Sequence, residues 1–89
     1  MTTIAGGWSV HETITDEDKE VFETALQGIV GVNYTPIAVA SQIVNGVNYI
    51  FIAKATPSAL AAKTGLAKIY ISAVPAGAEP TLINIERIV

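Results

Sequence analysis

The chain predicts an α+β fold, one amphipathic helix packed on an antiparallel sheet of four or five strands. Three observations predict it. Apolar residues recur at helical spacing over 15–28, β-rich runs separated by turn residues occupy 35–88, and Asn45-Gly46 stands between two of those runs. With 89 residues the chain fits one domain, 1–89, and 51% hydrophobic against 15% charged residues excludes the disordered class. It has no cysteine, so it must fold by burial alone.

The residues of 8–13 read as a short edge strand ahead of the helix. Thr15 followed by Asp16, Glu17 and Asp18 makes an N-cap with an acid three residues on, and the acids sit where the helix dipole is positive. Val21, Phe22, Ala25, Leu26 and Ile29 supply the buried stripe, and Gly28 and Gly31 end it. From Thr35 the pattern changes to strands, the first pair carrying Ile37, Val39, Ile43, Val47, Tyr49, Ile50, Phe51 and Ile52. Asn45-Gly46 between them predicts a type I′ hairpin turn, since both residues accept positive φ. Thr56-Pro57-Ser58 breaks the second strand, 57–63 reads as either a loop or a helical turn, a third strand covers 67–72, and Pro75 to Pro80 make the turn into the last strand, 81–88.

Strand directions follow from connectivity, because a meander reverses at every tight turn. The Asn45-Gly46 turn and the Pro75–Pro80 turn therefore lie side by side at one end of the sheet. If the strand at 8–13 pairs antiparallel with the strand from Thr35 to Ile43, the amino terminus reaches the same end.

Charge and composition exclude several functions. A net charge of −3 and a pI near 4.8 leave no basic face for phosphates, so neither nucleic acid nor an anionic membrane surface is an expected partner. The start of the chain has no charged region followed by an apolar one, and no stretch approaches the roughly 18 apolar residues of a membrane span. A soluble, cytoplasmic chain is the expectation, with which the lack of cysteine agrees.

Few residues carry chemistry. His11 is the single histidine, which removes a His-rich metal site, and a group built from Ser9, His11 and Glu12 fails because adjacent strand residues point to opposite faces. His11 is therefore expected as a solvent-exposed structural residue. Asp16, Glu17 and Asp18 lack the glycine and distal glutamate of a calcium loop and read as a solvated helix start. Gly6-Gly7 follows no strand and precedes no Lys-Ser or Lys-Thr pair, so it is not a phosphate loop. Tyr34, Tyr49, Phe51 and Tyr70 read as core or sheet-face packing. No catalytic residue, metal or cofactor is expected, and the chain reads as something other than an enzyme.

The segment Gln42-Ile43-Val44-Asn45-Gly46-Val47-Asn48-Tyr49 resembles the first inhibitory hairpin of the cystatin superfamily, where Gln-x-Val-x-Gly is followed by a short linker and Asn-Tyr. Two further segments agree in order and spacing. Ile4-Ala5-Gly6-Gly7-Trp8-Ser9 is similar to the glycine-containing amino-terminal trunk of the stefins, and Val74-Pro75 with Pro80-Thr81-Leu82 is similar to their second hairpin. The absence of cysteine points to the disulfide-free stefin type.

That resemblance implies a cystatin-like fold, with the sheet wrapped around the helix and residues 1–9 as a trunk. It also implies reversible, tight-binding inhibition of papain-like cysteine proteases, in which trunk and two hairpin tips form a wedge that fills the active-site cleft. By the likeness, Ile4 and Ala5 occupy non-primed subsites and Gly6 with Gly7 lets the trunk backbone pass the catalytic centre. Ile43, Val44, Asn45 and Gly46 cover the primed side, Val74 and Pro75 extend that contact, and Gln42 shapes the base of the hairpin. The active form implied is a monomer, which a swap opening at the Val44 to Val47 turn converts into a dimer that does not inhibit.

Physics gives such a wedge a reason to work. A short rigid tip loses little entropy on docking, so an exposed Val44 can desolvate fully. Two features depart from the family pattern: Asn45 stands where the usual residue is Ala, and Pro75-Ala76-Gly77 carries no anchoring aromatic. A fold hosts many uses, so the second expectation is a cystatin-like protein-binding module without inhibition.

Overall fold

The computed structural model describes residues 2–4, 7–59 and 62–89. Six strands and one helix follow in the order β1 (Thr2–Ile4), β2 (Trp8–Val10), α1 (Asp16–Ala25), β3 (Val32–Val44), β4 (Gly46–Pro57), β5 (Gly65–Ala73) and β6 (Thr81–Arg87). They form one antiparallel sheet with the strands in sequence order, β1-β2-β3-β4-β5-β6, and α1 is the single helix among the described residues. The α+β class stands. β2 to β6 make the five expected strands, and the three-residue β1 adds a sixth at the edge beside β2.

Alternation sorts the sheet into two faces. Val39, Phe51, Ala53, Ala67, Ile69 and Ile71 point to the helix side and form the core with Phe22. The Phe22 ring meets Phe51 edge-on at 4.9 Å between centroids, and Tyr49 stacks on Phe51 at 6.0 Å. These contacts anchor the helix over the middle of the sheet. Tyr34 and Tyr49 pack partly against the core, while Tyr70, paired with Ile50, lies on the opposite, outer face.

Two bulges adjust the sheet. Pairing slips between Pro36 and Ala38 in β3 and between Tyr70 and Ile71 opposite β6, so Ile37 and Ile83 drop out of register and are 53% and 63% exposed.

The helix begins as its sequence predicts. The Thr15 hydroxyl accepts from the Asp18 N–H and the Asp18 carboxylate accepts from the Thr15 N–H, both at 3.1 Å, completing a capping box. Its end comes earlier, at Ala25 rather than Gly28, because Leu26 leaves helical geometry and Gly28 and Gly31 both take φ of +89°. That early exit lets β3 start at Val32 instead of Thr35. Within 57–63, Ser58 and Ala59 bend away from β4, and the Ala62 N–H reaches the Ala59 carbonyl at 3.2 Å.

Candidate functional site

Among the described residues, strand register places two chain reversals, and the facing ends of β1 and β2, at one end of the sheet. Trp8 pairs with Gln42, Gln42 with Asn48, Asn48 with Ser72 and Ser72 with Thr81, so one row of residues crosses from β2 to β6. Ile4 extends that row onto β1. Beyond it, on the same side, lie Gly7 ahead of β2, the β3–β4 tip around Asn45, and the connection 74–80 between β5 and β6.

The first tip is tighter than the expected two-residue type I′ turn. Ile43 pairs with Val47 and Val44 with Gly46, which leaves Asn45 alone at the apex. Gly46 takes φ of +125°, and a Cβ there would collide with the Ala73 carbonyl oxygen and lie 3.0 Å from the Val74 Cα. The glycine thus serves two needs, a backbone conformation that L side chains resist and the close approach of the second hairpin. In that hairpin the Ala78 N–H donates to the Pro75 carbonyl at 2.9 Å with Gly77 at φ of +87°, closing a turn of the type that calls for glycine third.

Gln42, expected as a shaping residue, is part of a polar ladder beneath both tips. The Asn48 amide donates to Gln42 Oε1 at 3.1 Å, and the Ser72 hydroxyl donates to Asn48 Oδ1 at 3.0 Å. Three strands are tied together where the hairpins leave the sheet. Beside the ladder on the outer face, Trp8 lines a cavity of about 220 Å3 with Asn48, Tyr70, Ser72 and Ile83. Trp8 thus shares the outer sheet face with the ladder.

The remaining expected site residues divide into two groups. Val44 is 46% exposed and Val74 41%, and Asn45 and Pro75 are also exposed; together these form an uncharged rim around the two tips, apolar except for the Asn45 amide. Ile43 lies on the helix side, where it lines an open cavity together with Glu17 and Asp18 of α1, and is 83% exposed. At the amino terminus, Gly7 takes φ of +78°. Ile4 lies in β1, whose register with Trp8 folds 2–4 back along the edge of β2. Ala5 and Gly6 fall outside the described residues.

On the helix side of the same hairpin lies a group that sequence reasoning missed. His11, expected to be exposed, has a side chain only 16% accessible. Its Nδ1 lies 3.0 Å from Asp18 Oδ2 and its Nε2 lies 2.7 Å from Ser41 Oγ. Asp18 departs from the solvated helix start as well: it is 5% exposed. Burial pushes its carboxyl pKa up, but hydrogen bonds from His11 and Thr15 and the His11 charge outweigh this and hold it below the usual value of 3.8. Asp16 and Glu17 stay exposed. Tyr49, opposite Ser41, has its pKa raised by burial and by the charges of Asp18 and Glu17. The signal for this group was long-range, since Ser41 lies 30 positions from His11.

Among the described residues no cluster of three or more His, Asp or Glu is placed to hold a metal ion, and no helix is long and apolar enough to cross a membrane. No family model, no curated protein and no solved structure matches the chain.

Proposed function

We propose that this protein is a reversible inhibitor of papain-like cysteine proteases, blocking the active-site cleft with its amino-terminal segment and two hairpin tips. The observation that carries the reading is the joining of the tips: Gly46 of the first hairpin seats against Ala73 and Val74 of the second. Two reversals held against each other present Val44, Asn45, Val74 and Pro75 as one narrow uncharged edge. The Gln42–Asn48–Ser72 ladder fixes that edge from below, so little conformational entropy is lost on docking. With no acid or base in this group of tip residues, association depends weakly on salt.

The cystatin-like fold and the stefin type are part of the proposal. They rest on the Gln42–Gly46 motif, on Asn48-Tyr49 and on the strand order. The acting species is a monomer in the cytoplasm, where a chain without cysteine loses nothing to reducing conditions. Ile4, Ala5, Gly6 and Gly7 take the non-primed side, and Ile43, Val44, Asn45, Gly46, Val74 and Pro75 the primed side.

One observation favours the second reading, a cystatin-like binding module without inhibition. Backbone pairing of β1 with β2 engages 2–4 in a ladder, and a trunk must leave that ladder to lie in a cleft. Deleting residues 1–6 separates the readings: an inhibitor loses affinity chiefly through faster dissociation, whereas a module whose amino-terminal strand only covers the β2 edge shows no affinity for papain with or without it.

A further inference from the structure

We propose that Ser41, His11 and Asp18 form a hydrolytic centre for small activated esters, apart from the hairpin tips. The connectivity is that of a nucleophile, a base and an orienting carboxylate. Asp18 Oδ2 accepts from His11 Nδ1 at 3.0 Å, which fixes the tautomer that leaves Nε2 as an acceptor, and the Ser41 hydroxyl donates to Nε2 at 2.7 Å. The carboxylate is itself held in place, because Oδ2 also accepts the Thr15 N–H at 3.1 Å within the capping box. Three elements thus meet at one imidazole: the end of β2, the first turn of α1 and the C-terminal part of β3.

A hydrogen-bond network that only stiffened the fold would need no access. Here His11, Asp18 and Ser41 line a common open cavity of about 410 Å3, with Thr13, Tyr49 and Val47 among its walls. That volume suits a small ligand. In the reaction His11 Nε2 removes the Ser41 proton as Oγ bonds to the ester carbonyl carbon, and the same proton passes to the departing alkoxide or phenoxide. Water then attacks the acyl-serine while Nε2 takes its proton. The carboxylic acid leaves, and Ser41 regains its proton.

The substrate class follows from what surrounds Ser41. It lies inside β3, paired with Ser9 on one side and Tyr49 on the other, so its N–H belongs to a sheet ladder rather than to an oxyanion hole of paired backbone donors. Catalysis then consists of general-base assistance, and only esters with good leaving groups, such as aryl acetates, turn over. This inference does not rest on the inhibitor reading, since Ser41, His11 and Asp18 lie outside the tips, although Ile43 of the first hairpin also lines the cavity.

The test is hydrolysis of 4-nitrophenyl acetate by the full chain at neutral pH. Release of nitrophenolate about 10²-fold faster than with equimolar free imidazole is expected, with Ser41→Ala and His11→Gln each losing about tenfold or more. A wild-type rate no faster than imidazole, or a Ser41→Ala rate equal to wild type, overturns the proposal. A second measurement avoids dependence on variant folding: the wild-type chain is incubated with a fluorophosphonate and the adduct located by peptide mass. Modification of Ser41 supports the centre; no adduct, or an adduct elsewhere, contradicts it.

Discussion

Gly46 lies so close to Ala73 that a side chain at the first hairpin's glycine would collide with the Ala73 carbonyl oxygen. The relationship makes the two tips one unit. Substituting Gly46→Ala imposes both a left-handed backbone on a Cβ-bearing residue and this collision, so the hairpins must part. A loss of about 1–3 kcal/mol of stability is expected, together with a loss of about tenfold or more in papain affinity. Urea unfolding and inhibition titration of the variant check both, and an unchanged affinity would detach the glycine from the wedge.

The polar ladder predicts a coupled pair. Asn48 is its centre, accepting from Ser72 and donating to Gln42, so Asn48→Ala removes both bonds at once and costs about 1–3 kcal/mol. Gln42→Ala removes one of the same bonds. In a double-mutant cycle the two therefore show a coupling of about 0.5 kcal/mol or more. Strict additivity in denaturant unfolding would mean that the Gln42–Asn48 bond contributes nothing.

At the exposed rim the expectation reverses. Val44 is 46% exposed in the free protein, and surface substitutions change stability by only about 0.5 kcal/mol. Val44→Asp should therefore leave the thermal transition almost unmoved while weakening protease binding about 10²-fold, since a charge would be desolvated in the cleft without a partner. Equal loss in both measurements would place Val44 in the fold rather than in the interface.

Acid sensitivity follows from Asp18. Its folded pKa lies below the usual value of 3.8, so the unfolded chain takes up this proton first as pH falls. The contribution of the ionised carboxylate is complete above that unfolded value and disappears as pH drops through the lower folded one. Asp18→Asn should accordingly be less stable than wild type by about 1 kcal/mol at neutral pH, with the gap closing in strongly acidic solution. Chemical denaturation across that range gives the comparison, and a gap independent of pH would contradict the assignment.

The sequence made local features legible and left distant partners hidden. Thr15 and Asp18 announced the helix start because a capping box spans three residues, and Asn45-Gly46 announced the hairpin because its turn chemistry is local. The register of that hairpin was not legible, since it is set by Gly46 packing against a second hairpin nearly thirty positions away. Asp18 looked like one of three solvated acids. Its burial depends on His11 seven positions before it, and the His11–Ser41 bond on a strand pairing that local periodicity does not encode. β1 was missed for a different reason: three residues, Thr2–Ile4, are too few to show alternation. At the candidate site, the positions of Gln42, Val44, Gly46 and Pro75 at one end of the sheet followed from counting reversals, whereas Asn48 and Ser72 emerged only from the cross-strand register.

The central claim, that the joined tips block a papain-like cleft, is tested most directly by titrating active papain with the monomeric protein, isolated by gel filtration, and following peptide hydrolysis. Loss of activity approaching completion near a one-to-one ratio is the predicted result, with inhibition reversed on dilution. Full activity at a large molar excess of the folded monomer would contradict it.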